Sequence, residues 1–193
     1  LIYHPLTPER WHDFEELFGK NGAYGGCWCM WWRTTRREFE AQKGDGNRRA
    51  LKALVDAGHV PGILGYDAGR AVAWCSVAPR ETLASLERSR VLKRLDEKSV
   101  WSIVCFYVAK SHRGGGVMRG LIRAAVDHVA RSGGTIVEAY PTVPRSRSVA
   151  PVSSYMGFPD AFADVGFVEC ARPSTAKCMM RYTISPRSAA PAR

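Results

Sequence analysis

Apolar positions along this chain recur at two periods, and the points where one gives way to the other predict helices alternating with strands. Trp11, Phe14, Leu17 and Phe18 fall at helical spacing behind Thr7-Pro8-Glu9, which supplies a cap and a first-turn proline, and Gly19 ends the run; a helix is expected over residues 8–18. Residues 36–43 and 47–57 read as two more helices, interrupted at Gly44-Asp45-Gly46 and closed by Gly58. Residues 63–66 and 71–77 read as strands around the hairpin turn Asp67-Ala68-Gly69. The charged stretch 79–98 predicts a short helix near 81–89 and a loop. Residues 100–109 form the most apolar strand. In 115–131, Val117, Leu121, Ala124 or Ala125, and Val129 make a helical stripe suited to packing on a sheet. Gly133-Gly134 then leads into a strand at 135–139. Residues 153–164 look partly helical, and 166–170 with 177–183 make a last antiparallel pair. Such an order, with a hairpin at each end, predicts a mixed α/β sheet in three layers.

At 193 residues and 46% hydrophobic content, one domain with a sizeable core is expected over 1–184, with a small-residue tail at 185–193 and a mobile Pro/Ser/Arg loop at 141–151. No apolar run reaches a membrane span and no basic-then-apolar leader opens the chain, so the expectation is a cytoplasmic protein without a membrane partner. Cys75, Cys105, Cys170 and Cys178 are scattered through apolar surroundings and read as reduced core residues, while Cys27-Trp28-Cys29 is too closely spaced for a zinc site. No metal is expected. A net charge of +10 favours an anionic partner. Its bases spread over Arg33, Arg36, Arg37, Arg48, Arg49 and Lys52 and again over Arg88, Arg90, Lys93 and Arg94, which suits a solvated helix face or an RNA contact.

The most specific signal follows the apolar strand. Arg113-Gly114-Gly115-Gly116-Val117-Met118 opens the helix at 115–131, and glycines there let backbone amides converge on an anion at a helix N-terminus. The run lacks the Gly-Lys-Ser/Thr of a P-loop and the third glycine of a dinucleotide turn, whose place Arg119 takes. It resembles the acyl-CoA loop of the GNAT acetyltransferase superfamily, Q/R-x-x-G-x-G/A, with Arg113, Gly116 and Met118 at the fixed positions and Met118 departing from Gly/Ala. The likeness extends over residues 66–178. It implies a GNAT-like three-layer α/β fold whose mixed sheet splays between the fourth and fifth strands, with Arg113, Gly114, Gly115, Gly116, Val117 and Met118 on the pyrophosphate of acetyl-CoA or another acyl-CoA. The backbone of Tyr107 and Val108 would then hold the pantetheine and polarise the thioester.

An amine acceptor arrives protonated at neutral pH and needs a base. Glu138, in an otherwise apolar strand beside the expected acyl site, is the candidate, its other reading being a solvent-facing strand end. The superfamily's tyrosine, four residues before a Gly-Phe pair, is here Phe162, so Tyr155 or Tyr140 would have to protonate the leaving thiolate. Cys105 lies at the expected acyl position and has an alternative reading as a nucleophile with His112 as base. Two of Trp28, Trp31 and Trp32 read as core residues; because the superfamily walls its acceptor pocket with the segment between the first two helices, the resemblance implies that Cys27, Trp28 and Trp31, together with Cys105, line a pocket for a flat or apolar acceptor. The resulting expectation is an N-acyltransferase acting on a small-molecule primary amine by direct transfer in a ternary complex, as monomer or homodimer. Two alternatives stay open: a GNAT-fold aminoacyl-tRNA-dependent transferase, favoured by the basic charge and by Met118, and a non-catalytic CoA-sensing or nucleic-acid-binding module.

Overall fold

A computed structural model describes residues 1–144 and 155–185, so the tail, most of the 141–151 loop and the start of the 153–164 segment lie outside the described residues. Seven strands form one sheet: β1 (Ile2–Pro5), β2 (Gly62–Asp67), β3 (Arg70–Pro79), β4 (Trp101–Val108), β5 (Ile136–Ala139), β6 (Val168–Ser174) and β7 (Lys177–Thr183), in the order β1-β2-β3-β4-β5-β7-β6. Only β4 and β5 are parallel. The β2–β3 hairpin turns where expected: Ala68 and Gly69 both have positive φ, at 45° and 79°, the condition of a type I′ turn that matches strand twist.

The helices are α1 (Trp11–Phe18), α2 (Arg36–Gln42), α3 (Asp45–Asp56), α4 (Ala84–Glu87), α5 (Val117–Arg131) and α6 (Pro159–Ala163). Helix α5 lays Val117, Leu121, Ala125 and Val129 on Ile63, Cys75, Ile103 and Val137 of one sheet face, with Phe162 of α6 in the same core. On the opposite face α1, α2 and α3 pack Phe14, Phe18, Phe39 and Leu51 around Leu64 and Trp74. Two apolar faces therefore require two helix layers, the three-layer arrangement. Gly120 is where α5 crosses β1; a Cβ there would collide with the Tyr3 hydroxyl.

Some elements differ from the sequence reading, each for a local reason. Strand β1 was not expected, because four residues ending in proline carry little pattern; it is an edge strand paired only with β2, where proline's missing N–H is tolerated. Thr7 does not cap with its side chain; Arg10 donates to its hydroxyl instead. Helix α3 begins at Asp45, inside the expected break, since only Gly44 takes a positive φ. Thr35 and Glu38 close a reciprocal capping box that starts α2. Among the described residues no helix is long and apolar enough to cross a membrane.

Candidate functional site

The glycine run folds as an open anion cradle. Gly114 and Gly116 have φ of 84° and 75°, Gly116 is the N-cap of α5, and the first internal bond of the helix runs from the Arg119 amide to the Gly116 carbonyl. The amides of Gly115, Gly116, Val117 and Met118 thus precede any internal acceptor, which is the physical basis of anion binding at a helix start. A Cβ at Gly114 would meet nothing, so the space in front of the loop is open. Arg113 donates through Nε to the Val108 carbonyl at 2.9 Å, tying the cradle to the end of β4. Met118 does not enter the cradle. It packs against the α5-side core, and its sulfur lies with the rings of Phe106 and Phe162 around Gly157.

Strands β4 and β5 pair only at Trp101 with Val137, Ser102 with Glu138 and Ile103 with Ala139. Beyond Ile103 they part. The divergence coincides with a bulge in β4: opposite β3, Ser76 faces Cys105 and Val77 faces Ile103, which leaves Val104 over as an extra residue. On the edge that β5 has left, the Phe106 amide donates to the Tyr155 carbonyl at 2.6 Å and the Val108 carbonyl accepts from Arg113. Because backbone groups alternate sides along a strand, Phe106 and Val108 address the opening and Tyr107 addresses the β3 ladder. Of the two backbone positions expected to polarise a thioester, only Val108 is placed for it. Tyr107 contributes its ring, 5.6 Å from that of Phe18.

A cavity of about 450 Å³ lies along this opened edge. Cys27, Trp31, Cys105 and Tyr155 all line it, as the sequence reading expected of Cys27, Trp31 and Cys105, and Arg113 stands at its cradle end. Trp28 does not line it. Its indole is buried between Phe14 and Phe18 as part of the core, at a φ of 45°. The remaining lining was not singled out from sequence: Phe18, Tyr24, Trp32 and Phe39 bring the aromatic rings to eight, Cys29 makes a third thiol, and Glu40 is the one carboxylate among the described residues. The signal was present in the density of aromatic and sulfur residues over 24–33, but without a period it did not say which faced inward. That segment is held by close backbone approaches. Gly26 lies against Gly44, whose amide donates to the Gly26 carbonyl at 3.0 Å, and the Asn47 side chain donates to the same oxygen.

The base expected at Glu138 is corrected by its surroundings. Its carboxylate, 1% exposed, accepts from Arg80 Nη1 at 2.8 Å, from the Tyr140 hydroxyl at 2.6 Å and from Arg181 Nε at 2.6 Å. Arg80 is held in turn by Glu87 and the Leu92 carbonyl, and Arg181 by Asp96. Both oxygens are spent on internal partners, and neither Glu138 nor Tyr140 reaches the cavity. The network instead fastens the 80–98 segment to β5 and β7. Burial pushes the Tyr140 hydroxyl well above its ordinary range, so it remains a donor. Tyr155 is different: it lines the cavity, and burial, helped by the nearby thiols of Cys105 and Cys27, pushes its hydroxyl up to about 12, so it carries a proton at neutral pH. Phe162 is fully buried against Phe106 and Phe167. His112 pairs with Asp67 at 3.1 Å and with Ser111, and so does not serve Cys105.

All six cysteines are free. Cys75 and Cys178 are core residues as expected, whereas Cys170 is exposed and Cys105 half-buried at the cavity. Cys29 is the least expected. Trp74 Nε1 donates to its sulfur at 2.9 Å, and Arg33, which donates to the Ser76 hydroxyl and the Pro61 carbonyl, lies behind it with Nε enclosed and unpartnered.

A strand edge opened in mid-sheet, with an amide cradle at one end and an apolar cavity along it, is the geometry of the site. The comparisons name the class. The acetyltransferase (GNAT) family model matches residues 28–158, and the chain belongs to that family. Among solved structures, a ribosomal-protein-alanine N-acetyltransferase from Brucella melitensis superposes with TM-score 0.55 at 15% identity, covering 95% of this chain and 100% of that one. The putative acetyltransferase yncA from Salmonella typhimurium, with its cofactor acetyl-CoA, gives 0.54 at 15% identity over 99% and 97%. An aminoglycoside 6′-acetyltransferase type Ii gives 0.52 at 12% identity over 97% and 99%. No curated protein matches the chain in sequence.

Proposed function

We propose that the chain transfers an acetyl or other short acyl group from acyl-CoA to the primary amine of a small, flat or apolar molecule, by direct attack within a ternary complex. The observation that carries this reading is the continuity of the open cradle at Gly114–Met118 with the cavity along the released edge of β4, Arg113 belonging to both. In it, the amides that start α5 receive the pyrophosphate, with the helix dipole and Arg113 adding positive potential. The Val108 amide addresses the pantetheine and the thioester oxygen, where donors fixed before the reaction stabilise developing charge best. Tyr155, which lines the cavity and retains its proton, is the group we assign to protonate the departing CoA thiolate. Cys27, Trp31 and Cys105 wall the acceptor.

The acceptor class follows from the lining. Eight rings and three thiols, with Lys43 and Arg113 and a single carboxylate, Glu40, that already faces Lys43 and Arg36, suit an aromatic or aliphatic body carrying at most one ammonium. A polycationic sugar of the kind named for one compared structure would leave most of its charges unpaired.

Two measurements test the reading. Acetyl-CoA at millimolar concentration is expected to raise Tm, and Gly116→Glu to abolish the rise by putting a negative charge, at a φ of 75°, into the cradle. Release of free CoA is expected with aromatic monoamines and not with aminoglycosides. An absent thermal shift, or steeply salt-dependent binding to tRNA in its place, would point to another donor.

A further inference from the structure

With Glu138 locked in its ion pairs, the carboxylate left at the cavity is Glu40, which is exposed and shared between Arg36 and Lys43 at 3.9 Å each, and the reaction proposed above still needs an enclosed group to take the proton of the acceptor ammonium. The cavity floor offers one. Cys29 is 6% exposed and lines the cavity, and it is presented by two successive residues in the left-handed region, Trp28 at φ 45° and Cys29 at φ 60°. Neither is glycine, so this geometry costs free energy that packing must offset, a cost most often met at functional positions. Its sulfur is an acceptor: Trp74 Nε1–H donates to it at 2.9 Å. An indole N–H can only donate, so this bond favours the anion over the thiol.

Behind the sulfur lies a guanidinium without a carboxylate. Arg33 Nη2 donates to the Pro61 carbonyl at 2.7 Å and to Ser76 Oγ at 3.1 Å, both neutral, and its Nε has neither solvent nor partner. A buried cation is tolerated when an anion is near. Among the described residues no carboxylate pairs with Arg33, and the groups that face the Cys29 sulfur are Arg33, Cys27, Cys75, Cys105 and Tyr155. Cys27, Cys75, Cys105 and Tyr155 are all pushed above their ordinary ranges and stay protonated. Cys29 alone moves the other way. The neighbouring Cys105 thiol lowers it most, against burial, with Trp74, Arg33 and Ser76 adding in the same direction.

We propose that Cys29 stands in the cavity as a thiolate, held by the Trp74 indole N–H and in the field of Arg33, and accepts the proton of the acceptor ammonium, a role that rests on the acyl-transfer reading. The step balances as follows. The ammonium gives one proton to Cys29 Sγ; the neutral nitrogen attacks the thioester carbonyl carbon; the C–N bond forms and the C–S bond to CoA breaks. The second nitrogen proton leaves with the CoA thiolate as free CoA, through Tyr155, and the Cys29 proton passes to solvent as the thiolate is regenerated.

Alkylation with iodoacetamide, followed residue by residue by peptide mass mapping as a function of pH, tests the thiolate in the full-length protein without any acceptor. The midpoint for Cys29 is expected below that of a free thiol, about 8.5, and Arg33→Met should move it upward. A midpoint at or above that of a free thiol, or no modification at any pH, overturns the proposal, because a sulfur closed to so small a reagent cannot meet an amine. Cys29→Ser is expected to lower kcat for an aromatic alkylamine at pH 7 by about 100-fold while leaving the acetyl-CoA thermal shift in place. The same variant should retain near wild-type turnover of a fluorinated ethylamine, which is already unprotonated at neutral pH. Equal losses on both amines, or retained turnover of the alkylamine, overturn the proton-acceptor role. An enzyme that turns over no amine, yet shows the low alkylation midpoint, would instead mark failure of the acyl-transfer reading. Cys170→Ser, exposed on β6, serves as the unaffected control.

Discussion

Two guanidinium groups, Arg80 buried and Arg33 half-buried with its Nε enclosed, are treated in opposite ways. Arg80 meets two carboxylates, the Tyr140 hydroxyl and the Leu92 carbonyl, so its positive charge is answered by negative charge within the fold. Arg33 meets a carbonyl and a hydroxyl and keeps Nε unpaired. The first arrangement is closed, with nothing left to offer a ligand; it holds the 80–98 segment on β5 and β7. The second has no carboxylate partner among the described residues and lies near a sulfur, that of Cys29, which lines the cavity. A buried cation therefore marks a structural site or a chemical one according to what completes it.

The comparison can be broken most severely at Glu138. Removing one member of a buried ion network leaves the others uncompensated, so Glu138→Ala should cost about 3–5 kcal/mol of stability in chemical denaturation, with acetyl-CoA binding kept in the folded fraction. Gly120→Ala comes next. Its Cβ would overlap the Tyr3 hydroxyl beneath α5, and a loss of about 1–3 kcal/mol is expected from forced repacking, although alanine is the better helix former. Arg33→Met sharpens the contrast. A guanidinium without a carboxylate gives up a desolvation cost when it is replaced by an apolar chain, and a thiolate left behind can take up a proton. Stability should therefore change by no more than about 1 kcal/mol, against the large loss at Glu138.

The smallest effect concerns a third enclosed group, His128, which packs edge-on against Trp101 with Nε2 unpartnered. Burial, and then Arg131, push its imidazole below 6.5 in the folded state. The unfolded chain then binds that proton more tightly, so stability should fall as pH drops through about 6.5 and be fully present above it. His128→Leu should flatten this part of the Tm-against-pH curve while leaving the carboxylate-driven loss at lower pH.

Much of the architecture was legible in the chain, because what made it legible is local. The α5 stripe, the Asp67–Arg70 turn and the glycines before α5 each depend on residues within a few positions of one another. A single amphipathic helix or two-residue turn carries its own signature. Strand β1 escaped because an edge strand of four residues needs only its neighbour, and the place of the Met118 side chain stayed open because its neighbours come from β4, α6 and Gly157. The same limit explains the site. Cys27 and Trp31 were expected at the pocket only through the likeness to the superfamily, and Trp28 between them turns into the core, a choice made by Phe14 and Phe18.

The sequence by itself determined the order of helices and strands, the amide cradle at Gly114–Met118 and the GNAT likeness that follows from them, since each rests on backbone conformation set by near neighbours. Tertiary structure alone decided which buried charges are spent and which are free. Glu138 meets Arg80 across 58 positions, Arg181 meets Asp96 across 85, and Trp74 meets Cys29 across 45. Those separations are why an acidic residue in an apolar strand read as a base and why Cys29 carried no reading beyond the rejection of a zinc site. The protonation behaviour of a side chain is a property of the partners the fold brings to it, and no spacing along the chain encodes them.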